Sequence, residues 1–239
     1  MRLNLTVFGR LLVAMSVATL AGLAGPAHAQ TFFGPTPYLS FANSPFSGGS
    51  FAYFHLETFE DHLLNTPGVS ANACGVTSVV FGPSIHDSVD ADDGTINGSG
   101  LNGDSYFSGS GSSGILFTFS SAVLGSLPTS AGLVWTDGGG GTSVTFSVFG
   151  PSGQLLNTTT VSGFADFSNS GETAEDRFFG ASNASGISAI FMSNASGGIE
   201  VDHLQYGFAT TLAVPEPATY AMMLAGLGVV GAIVRRRKA

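Results

Sequence analysis

Short apolar runs alternate with clusters of Gly, Ser, Asn and Asp through the middle of the chain, from about residue 51 to residue 210. This pattern is typical of β-strands joined by turns. It is clearest in residues 143–148 and 115–119, where every second position holds Ile, Val or Phe, so that one face of each strand is apolar. The candidate strands cover residues 51–59, 76–81, 115–119, 132–136, 143–149, 154–161, 187–192 and 199–206.

Eight or nine such strands with polar loops, and almost no helical period, predict an all-β fold. We expect an antiparallel two-sheet β-sandwich, jelly-roll-like, over residues 51–210. Residues 30–50 are rich in Pro, Phe, Gly and Ser without a clear period, which indicates an extended lead-in with room for a first edge strand. The sequence Gly-Pro-Ser-Gly at 150–153 predicts a hairpin turn between two strands.

The first 29 residues have the three parts of a secretory signal peptide. Arg2 and Arg10 supply positive charge, residues 11–23 are apolar, and Ala27 and Ala29 place small side chains at the −3 and −1 positions. The pattern predicts a signal-peptide helix that directs the chain through the Sec translocon and is removed by signal peptidase before Gln30.

The C-terminal segment, residues 211–239, reads as a membrane anchor. Two prolines stiffen the sequence Val214, Pro215, Glu216, Pro217 in an extended form. The seventeen uncharged residues 218–234 predict a transmembrane helix about 25 Å long, at the short end of what a bilayer requires. The basic residues Arg235, Arg236, Arg237 and Lys238 then stop transfer and hold the end in the cytoplasm.

In order and spacing, this tail resembles the PEP-CTERM sorting signal, with its Pro-Glu-Pro motif, Gly-rich helix at 225–228 and terminal basic run. The resemblance implies an exosortase substrate that the inner membrane anchors only transiently and that is released to the cell surface or outside. It also implies a Gram-negative bacterium that makes exopolysaccharide or biofilm matrix. The alternative is an ordinary C-terminal membrane anchor.

Three central phrases, at residues 133–138, 173–180 and 198–207, are similar to central domains of PEP-CTERM proteins. The last of them also resembles the closing strand of galactose-binding-like sandwiches and carbohydrate-binding modules. This likeness implies a fold and not a function.

Charge and cysteine content exclude two classes of behaviour. Between the two ends, Arg177 is the only Lys or Arg, against fifteen Asp and Glu. A surface of that sign repels phosphate backbones, so we expect no nucleic-acid partner. Cys74 is the only cysteine, so the chain has no internal disulfide, and we expect it to be a buried small hydrophobe.

The acidic residues suggest two calcium sites, because calcium prefers six to eight hard oxygen ligands. One is a loop site ending at Gly94, built from Asp87, Asp90, Asp92 and Asp93. The other would tie the first strand to the last, with Glu57, Glu60 or Asp61 meeting Glu200 or Asp202. The alternative for both is a solvated acidic surface that keeps an exported protein soluble.

No nucleophile elbow, zinc-protease helix, Cys-x-x-Cys pair or phosphate loop occurs in the chain, so we expect no enzyme. The leading interpretation is an exported, exosortase-processed surface or matrix protein whose sandwich is structural or adhesive. The alternative is a lectin-like carbohydrate-binding module in which Trp135 and Asp137 contact a glycan, although a Trp in an apolar strand is more often core. A glycoside hydrolase is the third interpretation, since any two carboxylates can serve one.

Overall fold

The computed structural model describes residues 30–72, 75–81, 87–168 and 171–210. Within them the chain forms twelve strands and a few short helices. The strands are β1 Thr31–Pro37, β2 Phe51–Glu57, β3 Val69–Ala71, β4 Gly75–Val76, β5 Tyr106–Ser108, β6 Ile115–Phe119, β7 Ser130–Gly138, β8 Ser143–Phe149, β9 Leu155–Ser162, β10 Arg177–Ser182, β11 Ala189–Asn194 and β12 Ile199–Ala209. Two α-helices span Thr77–Phe81 and Ser121–Leu124, and three 3-10 helices span Phe41–Asn43, Asp90–Asp93 and Thr173–Glu175.

The strands form two sheets in which every described pair is antiparallel. The seven-stranded sheet has the order β1-β10-β7-β12-β5-β4, and β2 also pairs with β12. The five-stranded sheet has the order β3-β6-β11-β8-β9. From β6 onward the chain crosses repeatedly between the sheets. The predicted all-β, two-sheet sandwich is confirmed.

The central strand β12 is buried along most of its length, on both of its faces. On one edge it pairs with β7, and on the other it pairs first with β5 and then with β2. One face of the seven-stranded sheet packs on the five-stranded sheet through a large apolar core. The opposite face carries a second, smaller core, formed by Tyr38, Phe46, Val89, Val134 and Phe178. Loops from residues 38–49 and 87–105 therefore act as a cover over this second face.

Seven of the eight predicted strands occur, with ends shifted by two residues or fewer except at β12, which runs three residues further. The strand predicted at 76–81 is wrong beyond Val76, since the α-helix Thr77–Phe81 follows β4 directly. The carboxylate of Asp104 accepts hydrogen bonds from the Ser78 main-chain N–H at 2.9 Å and from the Thr77 hydroxyl at 3.0 Å. An acceptor at the first turn stabilises a helix, and here it comes from a distant part of the sequence.

The lead-in at residues 30–50 contributes β1, an edge strand that pairs with β10. Three strands had no sequence signal: β3, β5 and β10. Two of these have only three residues. The third, β10, contains Gly180, which lies opposite Gly132 of β7. The backbones approach closely there, because a Cβ on Gly132 would lie 2.6 Å from the Phe179 carbonyl oxygen.

The two chain ends lie outside the described residues. They comprise the predicted signal peptide at 1–29 and the sorting and anchor segment at 211–239. Cys74 also lies outside the described residues. Among the residues that the structure describes, no helix combines the length and apolar character that a membrane crossing requires.

Candidate metal centre

The acidic loop at residues 87–93 lies across the outer face of the seven-stranded sheet, over β7 and β12. Its main-chain N–H groups donate to the carboxylates of β12, from Val89 to Asp202 at 2.9 Å and from Asp87 to Glu200 at 3.1 Å. The hydroxyl of Thr136 in β7 donates to the Asp87 carbonyl oxygen at 3.0 Å. The loop and the last strand, which the sequence suggested as parts of two separate sites, therefore meet in one place.

A β-bulge at the end of β7 adds a further carboxylate to this place. Glu200 of β12 pairs with Asp137, but the next residue, Val201, pairs with Trp135, so that β7 has one residue more than its partner. Bulges re-aim side chains relative to the strict alternation of a strand. As a result Thr136 and Asp137 both approach Asp87, while Trp135 packs in the core between the sheets.

Three carboxylates from distant segments come together at this bulge, and we refer to Asp87, Asp137 and Glu175 as the open cluster. One carboxylate oxygen from each lies within 4.8 Å of the others, an arrangement that can hold a metal ion. Glu175 ends the 3-10 helix that precedes β10. Because Arg177 of β10 pairs with Trp135 of β7, that turn lies beside the end of β7.

The open cluster lacks hydrogen-bond donors at its centre. Asp87 is 2% exposed, and neither of its carboxylate oxygens has a hydrogen-bond partner among the described residues. The neighbouring Asp176 is fully buried, and both of its oxygens are equally without a partner there. Asp137 accepts one hydrogen bond, from the Gly138 N–H, and Glu175 accepts one from the Asp166 N–H at 2.6 Å. A buried carboxylate without donors is unfavourable unless a cation compensates it.

The electrostatics of the open cluster reflect this crowding. Burial, followed by repulsion from Asp176 and Glu200, raises the pKa of Asp87 far above its usual range. Burial raises the pKa of Glu175 to about 8 and that of Asp137 to about 6. Burial and the charge of Glu175 hold the pKa of Asp176 well above normal, although Arg177 opposes the effect. In the folded protein, all four carboxyl groups therefore bind a proton or a cation more readily than an exposed carboxylate does.

A second group under the same loop, the closed cluster, consists of Asp92, Asp202 and His203. His203 lies between Asp92 and Tyr38, with its Nε2 2.8 Å from an Asp92 oxygen and its Nδ1 2.9 Å from the Tyr38 hydroxyl. Gln205 donates to that hydroxyl at 2.9 Å and accepts from Ser44. In the tautomer of His203 that carries its proton on Nε2, these bonds form one donor chain that runs towards Asp92.

Asp202 is also well supplied with donors. One oxygen accepts from the Val89 N–H and the other accepts from the His203 N–H at 2.5 Å. Burial and the nearby charge of Asp92 nevertheless hold the pKa of Asp202 well above its usual range. In the closed cluster, the single buried oxygen without a hydrogen-bond partner in the described structure is Oδ2 of Asp92.

The remaining acidic residues of the two predicted sites stabilise loops. Asp90 accepts from the N–H groups of residues 97–99, and the half-buried Asp93 accepts from Thr95. Glu57 accepts from the N–H groups of Phe59, Asn65 and Thr66.

Neither Asp61 nor Glu60 reaches β12 as predicted. Asp61 accepts from Leu63 and Asn65, and Glu60 accepts from the Asp104 N–H at 2.6 Å. The metal-type groups found in the described residues contain neither of them, nor Glu57. The expected link between the first and last strands through Glu57, Glu60 or Asp61 is therefore wrong, because Glu57 and Asp61 accept hydrogen bonds from their own loop and Glu60 accepts from the Asp104 main-chain N–H.

Trp135 is fully buried, so its interpretation as a glycan contact is wrong. Its ring packs edge-on against Phe164, and its indole nitrogen lies 3.5 Å from the Asn194 side-chain oxygen. No face of the ring is open to a sugar. Asp137 is half-buried and belongs to the open cluster.

Sequence reasoning missed Glu175, Asp176 and His203 as members of these clusters. The only signal for Glu175 and Asp176 was an acidic pair directly before a strand, which points to a site only when β10 is known to pair with β7. His203 stood alone among scattered histidines. Its place in the closed cluster depends on the loop that covers β12, and the sequence does not indicate this arrangement.

Comparison with known proteins identifies one segment. Residues 213–238 match the PEP-CTERM protein-sorting motif, so the chain is an exported protein targeted to an exosortase, and its precursor is membrane-anchored. The matched segment lies beyond the residues that the structure describes. No curated protein and no solved structure matches the chain.

Proposed function

We propose that the mature protein is a non-catalytic component of the cell surface or of an exopolysaccharide matrix, in which its sandwich has a structural or adhesive role. The sorting motif at residues 213–238 is the observation that supports this proposal. In this proposal the Sec translocon and signal peptidase export the chain, the inner membrane of a Gram-negative cell holds it briefly, and an exosortase releases it.

The position of the carboxylates favours a structural role over a hydrolytic one. A glycosidase needs two carboxylates open to its polymer, on either side of the scissile bond. Here Asp87, itself part of the cover at residues 87–105, and Glu175 are buried, at 2% and 3% exposure. A polysaccharide would have to displace that cover, and the apolar core beneath it, to reach them.

The outer face of the five-stranded sheet is the surface best suited to contact a polymer. Its hydroxyl groups form cross-strand pairs, Thr145 with Thr160 at 2.9 Å and Ser147 with Thr158 at 2.5 Å. A shallow recess on the same face is lined in part by Leu116, Thr118 and Phe149. Rows of hydroxyls beside small apolar areas match the alternating polar and apolar surface of a sugar chain. This surface therefore favours an adhesive role that does not depend on the buried Trp135.

The experiment is fractionation of the native host followed by intact-mass measurement. We expect the extracellular or surface fraction to contain a form that starts at Gln30 and lacks residues 218–239. Replacing the basic residues 235–238 with Gln should shift the protein to unprocessed precursor, because the tail then loses its stop-transfer charge. Full-length protein with residues 235–238 still attached in that fraction would contradict exosortase processing.

A further inference from the structure

We propose that the open cluster is a calcium site, in which Asp87, Asp137 and Glu175 bind one Ca²⁺ where the acidic loop, the end of β7 and the turn before β10 meet. The three carboxylates come from segments that are far apart in sequence, and the fold alone brings their oxygens within 4.8 Å of one another. Like charges at that distance oppose folding, so an arrangement of this kind needs a compensating partner.

The unpartnered oxygens indicate that the partner is a cation. Asp87 is 98% buried, one of its oxygens lies in the cluster, and neither oxygen has a donor among the described residues. Asp176 is fully buried, and its carboxylate oxygens have no hydrogen-bond partner among the described residues. It adds further negative charge beside Asp87. By contrast, the nearby carboxylate of Glu200 accepts from the Asp87 N–H and the Ser105 hydroxyl. Donors are thus available in this region, but none reaches the oxygens of Asp87.

The neighbouring cation does not fill this role. Arg177 directs its guanidinium to the main-chain oxygens of Ala174 and Asp176, at 2.9 and 2.8 Å, and lies over the ring of Phe164. It therefore lies beside the cluster and donates to main-chain carbonyls instead of to the carboxylates of the open cluster.

The ligand chemistry selects calcium among the common divalent ions. Every donor in the cluster is a carboxylate oxygen, and no His or Cys among the described residues belongs to it, which disfavours zinc and copper. Magnesium demands near-ideal octahedral geometry and keeps several waters, which a pocket this buried does not accommodate easily. Calcium accepts irregular sets of oxygens and loses its water more readily.

Binding at this point would hold the cover on the sheet. The ion would link the acidic loop, which contains Val89, to β7 and to the start of β10. It would thereby hold this loop over the second apolar core around Val134 and Phe178. We therefore expect calcium to stabilise the whole sandwich, because it binds the folded arrangement and not the unfolded chain.

The experiment measures the melting temperature of the exported protein as the producing cell releases it, after removal of metal with a chelator. Calcium at a hundredfold excess over a Kd of about 10⁻⁴ M, in the range of extracellular modules, should raise Tm by about 5–10 °C. Magnesium at the same concentration should raise it much less. A Tm that is the same in chelator and in calcium overturns the proposal.

Two nearly isosteric variants locate the site. Asp87→Asn should lose most of the calcium shift, whereas the matched control Asp92→Asn, in the same loop but in the closed cluster, should keep it. If Asp87→Asn does not fold, Asp137→Asn at a half-buried position replaces it and should lose the shift as well. Retention of the shift in Asp87→Asn or Asp137→Asn, or its loss in Asp92→Asn, overturns the assignment.

Discussion

The open and closed clusters lie under one loop, on one face of one sheet, yet their carboxylates have opposite surroundings. In the closed cluster a chain of donors from Ser44 through Gln205, Tyr38 and His203 ends on Asp92, and two main-chain N–H groups reach Asp202. In the open cluster both oxygens of Asp87 have no donor in the described structure. Burial alone therefore does not distinguish the two groups, but hydrogen bonding does.

The difference shows two ways in which a fold can tolerate buried acid groups. The closed cluster uses protein donors and a histidine, which reach the oxygens of Asp202 and one oxygen of Asp92 and leave only Oδ2 of Asp92 without a partner in the described structure. The open cluster has the charge and the space for a cation and lacks the donors that would make one unnecessary. A search for metal sites by acidic density alone would have selected Asp90 and Asp93, whose carboxylates serve turns.

We expect the largest effect on stability from Asp92→Asn, compared with the wild type in the absence of calcium. The new amide can accept from His203 through its oxygen and donate to Asp202 through its nitrogen, in place of the oxygen that has no partner in the described structure. We expect stabilisation by about 1–2 kcal/mol at neutral pH, since a hydrogen bond to a charged group replaces a repulsion. Urea unfolding of the two proteins in chelator measures it.

Destabilisation by Asp92→Asn would break the comparison, because it would mean that the closed cluster needs the second negative charge. Asp93→Asn is the matched control. Asp93 is half-buried and accepts hydrogen bonds from Thr95 in its own turn, so the change should alter stability much less.

A smaller effect concerns pH. The pKa of Asp202 is raised in the folded protein, so the folded state binds a proton more tightly than the unfolded chain does. Stability from such a group is present below the unfolded pKa of about 4 and is lost as pH rises towards the folded pKa. In chelator we therefore expect wild-type stability to fall as pH rises above about 4.

Asp92→Asn should reduce that fall, because its amide lowers the repulsion that raises the pKa of Asp202. The stability difference between variant and wild type should therefore widen as pH rises. Urea unfolding at several pH values in chelator gives this difference. A difference that is constant with pH would show that Asp202 and Asp92 are not coupled in this way.

The sequence predicted the sandwich well where strands alternate, as in β6 and β8, and where they are long, as in β7 and β12. It failed where a distant side chain decides the local structure. The carboxylate of Asp104 caps the helix at residues 77–81, although Val-Val-Phe there has the composition of a strand. It also missed β10, because Gly180 suggests a turn in the sequence, whereas in the structure it allows close packing against Gly132.

The candidate site was only partly predictable for a related reason. Asp87 and Asp137 carried signals in the sequence, one from an acidic loop and one from its place after Trp135. Glu175 carried only the weak signal of an acidic pair before a strand, because its proximity to the other two carboxylates depends on the pairing of β10 with β7 and on the bulge at Thr136. Local patterns show which residues could bind a metal, and strand register decides which of them meet.

The most direct test of the account is terbium luminescence excited through tryptophan. Terbium takes the hard oxygen ligands that calcium takes, and Trp135, the only tryptophan, lies two positions before Asp137. We predict saturable emission with one ion per chain, which calcium displaces, which Asp87→Asn abolishes and which Asp92→Asn preserves. Emission that survives Asp87→Asn, or that Asp92→Asn abolishes, would contradict the claim that the open cluster is the metal site.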